Sequence, residues 1–264
     1  MDEAAAPVRL LVATQSILGD AAAHSDLGWL TSSEHDRLAQ LHAPRRRDEF
    51  LACRYALRLM LAGDANANPN AISAWQLDAP SGSAPHLHVD FHGAAEASRH
   101  QLSLSHSGDY LACSVAPGPI GVDIEILNRK PASRLSELAA MACTPTERER
   151  LAAIADDALR HLRFVQLWSL KEAWFKQVGT GVDFALLPLL ECRLASDGVD
   201  SVDSVDRSTA PDQVGHARSW IAQTATAQHA VLSVCCGASF AADLRNESGL
   251  DWQDAGRWTL HLTS

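Results

Sequence analysis

The chain has 264 residues, with 22 Lys+Arg against 32 Asp+Glu and a formal net charge of −10. That balance excludes a nucleic-acid binder held by a general basic surface, but not an anionic ligand at a local site. With 47% hydrophobic and 20% charged residues the chain buries a real core and is not bulk-disordered. The length fits one large domain or two of about 130 residues. No apolar run reaches the roughly 18 residues of a membrane span. Met1-Asp2-Glu3 is acidic where a signal peptide is basic. The expectation is a soluble cytoplasmic protein with no membrane or nucleic-acid partner. Six cysteines (Cys53, Cys113, Cys143, Cys192, Cys235, Cys236) form no CxxC pair and read as free, buried thiols.

In chain order, Thr31-Ser32-Ser33-Glu34 has the form of a capping box and predicts a helix to about Leu41. Pro44 restarts the chain, and Phe50, Leu51, Leu57 and Leu61 mark the apolar face of a second helix to about Ala62. Gly63 to Asn70 reads as a loop. Strand-like pieces follow at Ile72–Leu77, at the alternating Leu87–Phe91, at Gln101–Ser105 and at Tyr110–Val115. Ala116-Pro117-Gly118-Pro119 is the best boundary, dividing the chain into 1–117 and 118–264. Ile120–Ile126 reads as a buried strand and Leu135–Ala142 as a helix. Thr144-Pro145-Thr146-Glu147 is a strong helix start. A further helix runs from about Ala158 to Gln177, stopped by Gly179 and Gly181. Leu189–Leu194, Ser219–Thr224, His229–Cys236 and Trp258–Leu262 read as strands, and Asp197–Asp212 as a polar, acidic loop. Helices plus about three strands in each half suggest a duplicated α+β unit, although no clear sequence repeat is visible.

Three segments carry candidate chemistry. In Gly121-Val122-Asp123-Ile124-Glu125 the two carboxylates share one face of a strand, while Val122, Ile124 and Ile126 face a core. Adjacent carboxylates repel unless a cation or proton lies between them, and oxygen-only ligands favour Mg²⁺ or Mn²⁺ over zinc. The competing reading is an acidic edge facing solvent. In Trp168-Ser169-Leu170-Lys171-Glu172-Ala173-Trp174-Phe175-Lys176, Glu172 and Lys176 share a helix face, with Trp168 one turn earlier. In Leu102-Ser103-Leu104-Ser105-His106-Ser107-Gly108, hydroxyls and an imidazole meet a glycine turn suited to a phosphate.

The order Ser105-His106, then G-V-D-I-E, then W-S-x-K-E-A-x-x-K resembles the phosphopantetheinyl transferases. The closest match is the pseudodimeric, surfactin-synthetase-activating type, which activates peptide and polyketide synthetases. Phe50 to Arg58 is similar to the family's first-half helix, with Arg54 within it, and Arg37 precedes it as the family's basic phosphate contact does. The resemblance runs from about Arg37 to Leu187. It implies an α+β fold of pseudo-twofold duplicated lobes, each a small antiparallel sheet packed with helices, with the active site at the seam. It also implies a monomer that moves the phosphopantetheine arm of coenzyme A to a serine of an apo acyl-, peptidyl- or aryl-carrier protein, releasing adenosine 3',5'-bisphosphate. By the same resemblance Asp123, Glu125 and Glu172 hold Mg²⁺ (or Mn²⁺), Glu172 is the base, and Lys176 meets the reacting phosphates. Arg37, Arg54, Ser105 and His106 contact coenzyme A. The family's Gly-Lys/Arg-Pro is replaced by Gly82-Ser83-Ala84-Pro85-His86, leaving His86 as the weak substitute. The basic Asn128-Arg129-Lys130-Pro131 and Arg134 then serve carrier docking. Two alternatives stand beside this one. One is a zinc metallo-hydrolase using His86, His88 and His92, although Phe91 separates Asp90 from His92 and breaks the ligand spacing. The other is a non-catalytic homologue that binds coenzyme A or a carrier.

Overall fold

A computed structural model describes residues 7–23, 26–63, 69–78, 84–127, 132–195 and 212–263. The chain opens with β1 (Val8–Thr14) and α1 (Gln15–Ala23). Helix α2 (Ser32–Gln40) begins at the expected capping box: the Thr31 hydroxyl accepts from the Glu34 amide, and the Glu34 carboxylate accepts from the Thr31 amide. Helix α3 (Pro44–Ala62) starts on its proline and ends at Gly63 in the left-handed region. Its buried Arg58 reaches the fully buried Glu34 through two hydrogen bonds of 3.0 and 2.5 Å, fixing α3 on α2.

Two expected strands are corrected. Residues 72–77 do not form one strand: α4 (Pro69–Ser73) ends inside that span, a turn and irregular backbone follow, and only Leu77 of it pairs, in β2 (Leu77–Asp78) with β3 (His86–Leu87). Ile72 is buried from a helical turn. The alternation through Phe91 also fails, because Val89–His92 forms the short helix α5, whose Phe91 and His92 amides bond back to the His88 carbonyl. Val89 and Phe91 are exposed, so the pattern has no core face to bury.

After α6 (Ala94–Arg99) come β4 (Gln101–Ser107), β5 (Tyr110–Ala116) and β6 (Ile120–Ile126). Helices α7 (Ala132–Ala142), α8 (Pro145–Ala152) and α9 (Asp157–Val178) follow. The chain ends with β7 (Leu190–Leu194), β8 (Asp212–Gln223), β9 (His229–Cys236), β10 (Ala242–Glu247) and β11 (Gln253–Leu262). One sheet has the order β10-β1-β5-β4 and the other β6-β9-β8-β11-β7. The second is antiparallel throughout, whereas the first contains the parallel pair β1/β10. The break near residue 117 separates the two sheets except at β10, which returns from the C-terminal part to pair with β1. Mixed helix and sheet, with small sheets packed by helices, is the class the sequence implies.

Three large clusters fill the interior. One lies between α3 and the first sheet, one between α9 and the second sheet, and one where β1 and β5 face β6 and β9. All six cysteines are buried and free, with burial pushing the Cys53, Cys143 and Cys236 thiols up to about 12. The basic run at 128–131 lies outside the described residues, as does the expected acidic loop Asp197–Asp212 except for Asp212, which opens β8.

Candidate active site

The site begins with a close approach. A Cβ on Gly121 of β6 would stand 1.8 Å from the Ala173 carbonyl oxygen and 2.6 Å from the Gln177 amide of α9. Glycine is therefore required for α9 to lie directly on β6. Nothing in the spacing of G-V-D-I-E marks that role. The contact brings the C-terminal half of α9 beside the strand carrying Asp123 and Glu125.

Helix α9 is itself fixed by a buried ion pair. Lys171 is fully buried, and its ammonium donates to Glu147 (2.6 Å), to the Ala142 carbonyl (2.7 Å) and to the Leu187 carbonyl (3.1 Å). Glu147 in turn caps α8 through the Thr144 amide (2.9 Å) and accepts from the Cys192 amide of β7 (2.8 Å). Three donors and two carboxylate oxygens are thus satisfied, which a buried pair needs to persist. Lys171, conspicuous in the motif, is structural.

On the other side, β4 meets β6 through side chains. Ser103, Ser105 and Ser107 share one face of β4. The Ser103 hydroxyl accepts from the Val122 amide (3.0 Å), and Ser107 accepts from the Ile126 amide (3.1 Å) while donating to Glu125 (3.1 Å). Those two hydroxyls, expected near a phosphate, instead join the two sheets. Ser105 donates to Asp123 Oδ1 (2.9 Å).

Lys176 closes the group: its Nζ lies 2.7 Å from Asp123 Oδ1, 2.9 Å from Ser105 Oγ and 4.0 Å from Glu172. Asp123 is only 2% exposed, so the solvent-facing edge is excluded. Its Oδ2 is buried without a hydrogen-bond partner among the described residues. Burial, then the charge of Asp123, pushes the Glu172 carboxyl up to about 7 and raises that of Glu125. The neighbouring Trp168 indole opposes that rise at both carboxyls. This is a positioning role that the sequence placed on the right face without assigning.

His106, on the opposite side of β4 from Ser105, is exposed. Partial desolvation, then neighbouring Arg46, Lys176 and Arg45, hold its pKa below the usual histidine value against the pull of Glu49. Arg45 and Arg46, at the start of α3, bracket Glu49 at 3.1 and 2.8 Å. Sequence reasoning missed this cationic group, which appears only when the first turn of α3 is placed beside the end of β4. Arg37 lies half-buried in the last turn of α2. Arg54 is buried in the N-terminal core, 3.7 Å from Glu34 and over the Phe50 ring. His86 is exposed on β3, its ring against the Ala84 carbonyl (3.2 Å). Among the described residues no hydrogen bond or ion pair joins Arg54 or His86 to the carboxylates. The zinc reading loses a ligand, since His92 Nε2 accepts from the Gln76 amide (3.0 Å) and its ring stacks on Trp75, and among the described residues no three metal-binding side chains gather.

Residues 119–235, which contain both β6 and α9, match the model of the 4'-phosphopantetheinyl transferase superfamily. Over that segment the chain is similar to this superfamily. Similar proteins include the 4'-phosphopantetheinyl transferase HetI of Nostoc, 32% identical over 58% of this chain and 61% of its own length. The 4'-phosphopantetheinyl transferase Sfp of Bacillus subtilis is 37% identical over 40% of this chain and 44% of its own. The psf-1 transferase of Bacillus pumilus is 34% identical over 37% and 39%. The chain therefore spans about half the length of the phosphopantetheinyl transferases it matches. The superfamily segment holds Asp123, Glu125, Glu172 and Lys176; Ser105, His106 and the arginines of α2 and α3 lie before it.

Proposed function

We propose that this protein transfers the phosphopantetheine arm of coenzyme A to a serine hydroxyl of an apo acyl-, peptidyl- or aryl-carrier protein, releasing adenosine 3',5'-bisphosphate. The observation that carries this reading is the meeting of Asp123, Glu125, Glu172 and Lys176 with Ser105, inside and beside a segment of the superfamily. The reading places the active site at the seam of two pseudo-twofold lobes, 1–117 and 118–264, in a cytoplasmic monomer.

The donor set suits a hard divalent cation. It is all oxygen, Asp123 Oδ2 is without a partner among the described residues, and burial and then the charge of Asp123 raise the carboxyls of Glu125 and Glu172. Among the described residues no three such side chains are yet gathered closely enough to grip one ion. Asp123, Glu125 and Glu172 would hold Mg²⁺ or Mn²⁺, which would neutralise charge on the pyrophosphate. The chain's own groups do the rest. Lys176 faces the phosphates as a point charge, with Ser105, His106 and Arg37 toward other phosphate groups of coenzyme A; Arg54 and His86 remain weaker contacts of the same kind. Glu172, with a pKa near neutrality, accepts the proton of the attacking serine hydroxyl. A new phosphorus–oxygen bond forms to that serine as the bond to the adenosine-side phosphate breaks. Arg134, exposed on α7, faces an acidic carrier.

The test is incubation with coenzyme A, Mg²⁺ and a panel of apo-carrier domains, followed by intact-mass measurement. One carrier gaining the mass of the arm is the expected result. No gain on any carrier sinks the transferase reading and favours a non-catalytic binder.

A further inference from the structure

Arg163 and Leu167 lie on the face of α9 turned away from Glu172, by helical spacing. There α8, α9, β7 and β11 border an open cleft of about 490 Å³. Its floor is apolar, with Leu151, Leu167 and Trp258 buried in one cluster and Ile154 packed on them. Its rim carries Arg150, Arg163 and Arg193. Arg163 lies 5.6 Å over the Trp258 ring and donates through Nη1 to Gln166 Oε1 (2.5 Å), but among the described residues it has no carboxylate partner within ion-pair distance. Arg150 and Arg193 share a single buried acid, Glu191, at 3.5 and 2.9 Å. Glu147, the acid that lines the cavity among the described residues, is already engaged by Lys171. Among the described residues, three guanidinium groups therefore answer to one carboxylate, in a chain of net charge −10.

We propose that this cavity binds an amphipathic organic monoanion, a carboxylate carried on an apolar chain or ring. A partly buried guanidinium without a carboxylate asks for an anionic head, and planar bidentate recognition suits a carboxylate. The floor asks for an apolar body, and so disfavours inorganic phosphate or a nucleotide. The volume falls within the roughly 300–1,000 Å³ typical of small-molecule sites. This site is separate from the Asp123 cluster and does not depend on the transferase reading.

The probe is 11-(dansylamino)undecanoic acid, titrated into the full chain by fluorescence, with decanoate, decanol and decylammonium as competitors. Saturable binding is expected, displaced by decanoate but not by decylammonium, and unaffected by coenzyme A. Arg193→Gln and Arg163→Leu should each weaken binding about tenfold or more. Arg193 is 41% exposed, so its replacement leaves the fold standing if Arg163→Leu does not. The proposal is overturned by any of four results: no saturable binding, equal displacement by decanol and decylammonium, displacement by coenzyme A, or unchanged affinity in Arg193→Gln.

Discussion

Gly121→Ala tests the idea that one glycine sets the distance between β6 and α9. The added methyl would meet the Ala173 carbonyl oxygen at 1.8 Å and the Gln177 amide at 2.6 Å, both backbone atoms that no rotamer change removes. Helix and strand must separate by more than an ångström to restore ordinary contact. Overpacking of this kind costs about 1–3 kcal/mol, which for a chain this size lowers Tm by several degrees. The larger effect is on the site, because α9 carries Glu172 and Lys176 away from Asp123 and breaks the 2.7 Å Lys176–Asp123 pair. A misplacement of about 1 Å is worth on the order of 10²-fold in rate. Carrier modification followed by intact mass, alongside a thermal melt, reads both quantities. A variant with wild-type Tm and wild-type transfer rate refutes the reasoning.

Glu172→Gln should lower transfer by about 10²–10⁴-fold with the melt preserved, and a wild-type rate would remove Glu172 from proton transfer. The metal-free protein should also respond to pH through this group. A folded-state carboxyl raised to about 7 from 4.5 binds its proton more tightly than the unfolded chain does, so stability falls as pH climbs through that window. Glu172→Gln should flatten that slope in a melting series, and an unchanged slope would contradict the assignment. Lys171→Met strands Glu147 as an uncompensated buried charge and should cost about 3–5 kcal/mol, measured by urea unfolding. Chelation by EDTA should abolish transfer and added Mg²⁺ restore it; transfer that persists in the chelator would exclude the metal.

Much of the second half was legible in the sequence because its signals are local. The Thr144 capping box, the glycine stop after α9 and the apolar run of β9 each report chemistry within a few residues. The period-two spacing of Asp123 and Glu125, and the four-residue spacing of Glu172 and Lys176, likewise predict which side chains share a face. Strand β10 was invisible because Ala-Asp-Leu-Arg-Asn-Glu is a polar edge, ordered by pairing with β1 far away in the chain. The strand expected at 87–91 failed for the converse reason, since its alternation had no sheet face to bury, whereas the apolar residues of 72–77 are buried from a helical turn and a two-residue strand.

The sequence by itself determined the α+β class, the free thiols, and the carboxylates and lysine grouped as a candidate site. Tertiary structure decided what each side chain does. Two lysines of one motif part company: Lys176 meets Asp123, while Lys171, five residues earlier, is sealed against Glu147. Two of the three β4 serines hold the sheets together, and Ser105 alone is shared with Lys176 and Asp123. Periodicity fixes the direction of a side chain relative to its own element. What it touches depends on the element packed opposite, and here that is set by a glycine with room for nothing larger.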